Sequence, residues 1–157
     1  MTSLSVFVYS KNTDLHVLSA KYAIVHSLDV RALHFLKRYT FWKLTFDKLN
    51  EAEAKTSVEK MMASSFYLLN PNKQAYSWSL NSHYFHVMVK RASGHANTLC
   101  ALFQKRGYAS LTQIETATVW EIGFSGTKDE LCETVLTSTS HSKGLLLNPL
   151  FETYSFF

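Results

Sequence analysis

Two stretches of this chain close in the same way. Leu68-Leu69-Asn70-Pro71 is followed by Tyr76-Ser77, and Leu146-Leu147-Asn148-Pro149 by Tyr154-Ser155, each residue 78 positions after its counterpart. The same offset pairs Trp42 with Trp120, Phe46 with Phe124, Thr40 with Thr118, Thr56 with Thr134 and Leu33 with Leu111, in one gapless register from about Ala23 to Ser79. A repeat of this length constrains the fold before any other feature does. The chain has 157 residues, enough for one ordinary domain, and half of that is marginal as an independent one. Repeats 1–80 and 84–157 are therefore expected to share a core as one pseudo-symmetric body. Their junction, Asn81-Ser82-His83, is too short for a flexible linker.

Each repeat carries the same order of elements. In the first, residues 4–9 alternate as a strand, and Asn12 or Thr13 can cap a helix with Leu15, Leu18, Tyr22 and Val25 on its inward stripe. An extended stretch over residues 32–46 follows. Asn50 and Glu53 have capping-box spacing before a helix carrying Ala54, Val58, Met61 and Met62, which Leu69-Asn70-Pro71 is expected to stop. Residues 76–80 close the repeat. In the second, a strand at 85–89 precedes a helix with Leu99, Leu102 and Phe103 inward, ended by Gly107. A strand at 118–124, a helix opened by the capping box Thr127-x-x-Glu130 with Leu131, Val135 and Leu136 behind it, and a strand at 153–157 complete it. The expected fold is α+β: two tandem βαβαβ units docked as a pseudo-dimer, their antiparallel sheets covered by helices.

Composition removes whole classes. Hydrophobic residues at 46% and charged residues at 18% exclude a disordered tail, and five Gly with two Pro exclude collagen-like or linker sequences. The net charge of +4 is below that of a dedicated nucleic-acid binder. The excess lies in the first half, with ten basic and six acidic residues over 1–80 against six of each over 81–157. No apolar run approaches a membrane span, and residues 1–4 do not open a secretory signal. Cys100 and Cys132 make neither a disulfide framework nor a zinc site alone. The expectation is a cytoplasmic protein with reduced thiols, binding neither membrane nor nucleic acid.

Little in the sequence announces chemistry. His83 and His86 are the closest histidine pair, and period-2 geometry points them to opposite faces of a strand, against a shared metal. Cys100 reads as a small core residue, Cys132 as inert, and Trp42 and Trp120 as packing residues. No Gly-rich phosphate loop and no carboxylate pair for acid–base work stand out. No catalytic, metal-binding or cofactor-binding residue is therefore expected. Lys37, Arg38 and Lys43, with Lys90 and Arg91, form the densest basic group.

The closing motif carries a resemblance. Gly107-Tyr108, an extended stretch, an acidic capped helix and Leu146-Leu147-Asn148-Pro149-Leu150-Phe151-Glu152-Thr153-Tyr154 resemble the PurS family, the small subunit of phosphoribosylformylglycinamidine synthase. Leu68-Leu69-Asn70-Pro71 and Tyr76 repeat the match more weakly, so the chain looks like two PurS units in tandem. Departures exist: Asp29 replaces the Gly of the Gly-Tyr step, and Tyr39-Thr40 and Ala117-Thr118 stand where the family has Gly-Lys. The first β–α connection is about three residues longer than the second, and no acidic residue precedes Tyr76. The resemblance implies a non-catalytic assembly subunit bridging a PurL-type synthetase and a PurQ-type glutaminase, so that ammonia passes between them in purine synthesis. ATP, Mg and glutamine would be used by those partners. Lys37, Arg38, Asn70, Pro71, Asn148, Pro149 and Tyr154 are the candidate partner interface. Two alternatives stand beside it: a ligand-binding regulatory module with a polar pocket between the halves, or an RNA binder using exposed Tyr39 and Phe41.

Overall fold

The computed structural model of the chain describes residues 1–91, 94–136, 146–147 and 151–157. The elements run β1 (Thr2–Ser10), α1 (Leu15–Tyr22), β2 (Leu33–Phe46), α2 (Glu51–Ser64), β3 (Gln74–Ser77), β4 (Phe85–Arg91), α3 (His95–Lys105), β5 (Leu111–Phe124), α4 (Lys128–Leu131) and β6 (Glu152–Phe156). Pi-helical turns continue α1 over Ala23–Ser27 and α4 over Cys132–Leu136. The chain is α+β, with the βαβαβ order present twice. Its antiparallel strands are ordered β3-β1-β2-β5-β4-β6.

The ladders of the two repeats match pair for pair. Val6 opposes Trp42 as Val87 opposes Trp120, and Val8 opposes Tyr76 as Val89 opposes Tyr154. The offset is thus 78 between β2 and β5 and between β3 and β6, and 81 between β1 and β4. The additional three residues fall between the first strand and the second. Register this regular follows from the alternation of core residues, since a one-residue slip would turn every one of them outward.

The compact units are not the sequence repeats. One consists of Met1–Asn12, Thr40–Leu80 and Ser93–Ala117; the other of Thr13–Tyr39, Asn81–Ala92 and Thr118–Phe157. Each unit therefore takes its first helix, and the start of the long strand after it, from the other repeat. The chain changes unit within β2 at Thr40 and within β5 at Thr118, the same position of the repeat.

The core of the first unit is built by Val6, Val8, Trp42, Leu44 and Phe46 from strands, Ala54, Val58, Met61 and Met62 from α2, and Leu99, Cys100 and Phe103 from α3. Trp42 Nε1 donates to the Leu68 carbonyl at 3.2 Å, so the indole is satisfied inside. Cys100 is the small core residue expected, and burial pushes its thiol pKa up. In the second unit Val87, Val89, Trp120 and Ile122 pack with Ile24, Leu131, Val135, Leu136, Leu146 and Leu147. Both expected capping boxes form, Asn50 with Glu53 and Thr127 with Glu130.

Three local expectations are corrected. Asp14, not Asn12 or Thr13, caps α1, because its carboxylate accepts from the amides of His16 and Val17. Helix α2 ends at Ser64, ahead of Asn70-Pro71, and those two residues form a separate turn. Leu15, Leu18 and Tyr22 are not inward: they are 71%, 56% and 65% exposed. The inward residues are Val17 and Ala20 of α1 and Ile24 of the π turn that continues it, each 79 before its counterpart among Ala96, Leu99 and Phe103 of α3. Further on, Asp29 (φ 54°) and Gly107 (φ 101°) end the two helices in left-handed conformation and are 78 apart. One residue is absorbed between Ile24 and Asp29, where the π turn lies. A π turn takes in an additional residue, so the residues before it are turned by about 100° relative to a continuous α-helix.

Candidate functional site

Strand alternation puts a second set of side chains opposite the helix-covered cores, and these too are buried. Between Val6 and Val8 lies Phe7, whose ring centroid is 5.5 Å from that of Phe41. Tyr39 and Phe41 are 6% and 5% exposed, so neither offers a face on which a base could stack. The aromatic platform required by an RNA-binding reading is therefore missing at the residues named for it.

Glu121 stands on this opposite face, between the core residues Trp120 and Ile122, and is 3% exposed. A buried carboxylate needs donors on both oxygens. Tyr39 Oη donates to Oε1 at 3.1 Å, and the Asn81 amide donates to Oε2 at 3.2 Å. His86 Nε2 lies 3.0 Å from Oε2, donating through that nitrogen. These donors come from β2, the junction and β4, so one side chain of β5 links β2, β4 and the junction. The cluster is a carboxylate–imidazole pair of the kind that fixes a histidine's tautomer. Sequence reading missed it, having found no carboxylate pair. Its signal was a lone acid inside a strand apolar on both sides, Val119-Trp120-Glu121-Ile122. His83 is exposed, precedes β4, and its amide donates to the Asn81 side chain.

The candidate interface residues are distributed over both units. Arg38 Nη2 lies 2.9 Å from Asp14 Oδ2, which anchors the start of α1 to β2. Lys37 Nζ stands 4.9 Å from the centre of the Tyr39 ring. Lys43, the third of the basic group, lies 3.6 Å from a Glu115 oxygen in the first unit. The Asn70 side chain accepts from the Asn72 amide, its carbonyl accepts from the amides of Lys73 and Gln74, and the Pro71 carbonyl accepts from Lys11 Nζ at 2.6 Å. These bonds define the Asn70-Pro71 turn. Tyr154 is exposed on β6 with its hydroxyl 3.8 Å from Cys132 Sγ, and that contact raises its pKa. Asn148 and Pro149 lie outside the described residues.

An open cleft of about 490 Å³ lies in the second unit, lined by residues 28–32 on one side and by Phe124, Ser125, Glu130 and Thr134 on the other. Its walls come from both sequence repeats, yet both belong to one compact unit. Among the described residues no three His, Cys, Asp or Glu side chains converge as a metal site, and no helix is long and apolar enough to cross a membrane. No family model, curated protein or solved structure matches this chain.

Proposed function

We propose that this chain is a tandem duplication of a PurS-like unit serving in the cytoplasm as an assembly subunit of a phosphoribosylformylglycinamidine synthase complex. In this role it bridges a PurL-type synthetase and a PurQ-type glutaminase, and it supplies no catalytic residue. The observation that carries the reading is the pair-for-pair match of the two ladders across β1–β3 and β4–β6. Two copies of one unit in a single chain make a homodimer-like body whose two sides are free to differ. The exchange of α1 and α3 between the units supports it, since swapping an element is a common route by which duplicated units become inseparable. A scaffold with unlike sides can hold two different enzymes, which makes the second docking event nearly intramolecular.

The test is reconstitution. Mixed with PurL-type and PurQ-type subunits from the same organism, the chain is expected to co-elute with both in the presence of glutamine and nucleotide, and to restore glutamine-dependent synthesis. Failure of both results would sink the reading. The cleft at Asp29 and Glu130 favours one other reading, a small-ligand regulatory module. Saturable binding of a metabolite there, without any association with the enzymes, would replace the first reading by the second.

A further inference from the structure

The stripe on α1 that sequence periodicity assigned to the core faces solvent. Leu15, Leu18 and Tyr22 are 71%, 56% and 65% exposed and stand three and four residues apart, on one side of the helix. Contiguous large apolar side chains of this kind mark an interaction surface, whereas single scattered ones do not. Helix α3 supplies the control. At the positions 79 residues on stand its N-cap Gly94 and its residues Asn97 and Ala101, all exposed and none large. A solvent-facing helix in this fold thus does not need leucine or tyrosine at these places.

The border of the stripe carries one cation, Lys21. Lys21 flanks Leu18, and the His26 ring lies 4.6 Å from that of Tyr22. The acids of residues 13–39 are Asp14 and Asp29, each 2.9 Å from an arginine, Arg38 and Arg31. Lys21 Nζ donates to the His34 carbonyl at 2.9 Å, a neutral acceptor, and no carboxylate of the described residues is paired with it.

We propose that this face of α1 docks one amphipathic helix of a partner protein, whose apolar stripe is flanked by carboxylates. Leu15, Leu18 and Tyr22 supply the apolar contact over two turns, in the helix-on-helix mode of peptide recognition. Lys21 meets the acidic flank, which orients the partner and rejects a basic one. Tyr22 has the apolar body and polar tip that suit an interface partly open to water. This inference goes beyond the synthase reading and does not rest on it, so a failed reconstitution leaves it standing.

The test uses the full chain, isotope-labelled for amide spectra, and two synthetic helical peptides sharing one leucine stripe, one flanked by glutamates and the other by lysines. The glutamate peptide is expected to shift amide signals of residues 15–26, and the lysine peptide to bind at least about tenfold more weakly. Leu15→Ser, Leu18→Ser and Tyr22→Ser together should remove binding, and Lys21→Glu should reverse the peptide preference. The second variant decides the matter if the first fails to fold. Equal binding of the two peptides, shifts confined to other elements, or retained binding by the triple variant would overturn the proposal. So would a dimeric parent chain that the triple substitution splits, which would make the stripe a self-interface. Pelleting with phosphatidylglycerol–phosphatidylcholine vesicles, with neither peptide bound, would make it a membrane surface instead and equally end the proposal.

Discussion

At one register position the two units carry opposite chemistry. Strands β1 and β2 set Ser5 against Lys43; β4 and β5, at the equivalent place, set His86 against Glu121. The Lys43 side chain is 41% exposed, and water solvates much of its charge. Glu121 is buried and has collected a hydroxyl, an amide and an imidazole. Two residues along β2 and β5 the divergence recurs. Thr45 shares a hydrogen bond with Ser3 at 3.0 Å, whereas a Cβ on Gly123 would lie 2.6 Å from the His34 ring. The helix-covered face keeps its residue types, with Val6 and Trp42 answered by Val87 and Trp120. The opposite face does not. Core alternation fixes the register, and once the register is fixed the other face can change provided each buried polar group finds its partners.

The largest expected effect comes from cutting the repeats apart. Residues 1–80 alone lack Leu99, Cys100, Phe103, Leu111 and Ile114 of the first core, and 84–157 lack Ile24, Leu33 and Leu36 of the second. Each fragment is expected to show no cooperative thermal transition as a monomer, and an equimolar mixture to regain one. A sharp transition from either fragment alone would break the exchange picture.

Substitution at the paired register position comes next. Glu121→Ala strands the Tyr39 hydroxyl, the Asn81 amide and His86, and should cost about 3 kcal/mol or more, whereas Lys43→Ala should cost less than about 1 kcal/mol. Urea unfolding of the two variants measures the gap, and equal losses would mean that burial does not separate the two sites. Leu99→Ala in α3 should cost about 3 kcal/mol, and Leu18→Ala in α1 no more than about 0.5 kcal/mol. A large loss at Leu18 would restore the inward stripe that periodicity alone suggests.

The capping boxes should behave alike: Asn50→Ala and Thr127→Ala are each expected to cost about 1 kcal/mol. The smallest effect concerns the thiols. With its pKa raised by burial, Cys100 is expected to stay protonated and to alkylate with iodoacetamide more slowly at pH 8 than Cys132, as mass spectrometry of timed digests would show. The sign for stability follows. An unfolded chain ionises this thiol first, so the contribution of Cys100 is complete below the ordinary thiol pKa and is lost as pH rises through the folded one.

Much of this was legible in the residues. Element order, both capping boxes, the glycine stop at Gly107 and the core roles of Trp42, Trp120 and Cys100 depend on contacts within a few positions or on alternation along one strand. Asp29, read as the replacement for a glycine, takes the positive φ of its counterpart. Two matters were not legible. The orientation of α1 depends on where a π turn absorbs a residue, and Leu15, Leu18 and Tyr22 keep their spacing whichever way the helix faces. The role of Glu121 depends on donors from Tyr39, Asn81 and His86, up to 82 positions away in the chain.

The sequence by itself determined that the same order of strands and helices would occur twice and which strand residues would face a core, because the face a strand residue takes is a matter of periodicity. Only the tertiary structure decided which helix completes which core. Each repeat presents an apolar strand face of the same kind, so local patterning cannot tell its own first helix from that of its neighbour, and the choice falls to packing across the whole chain.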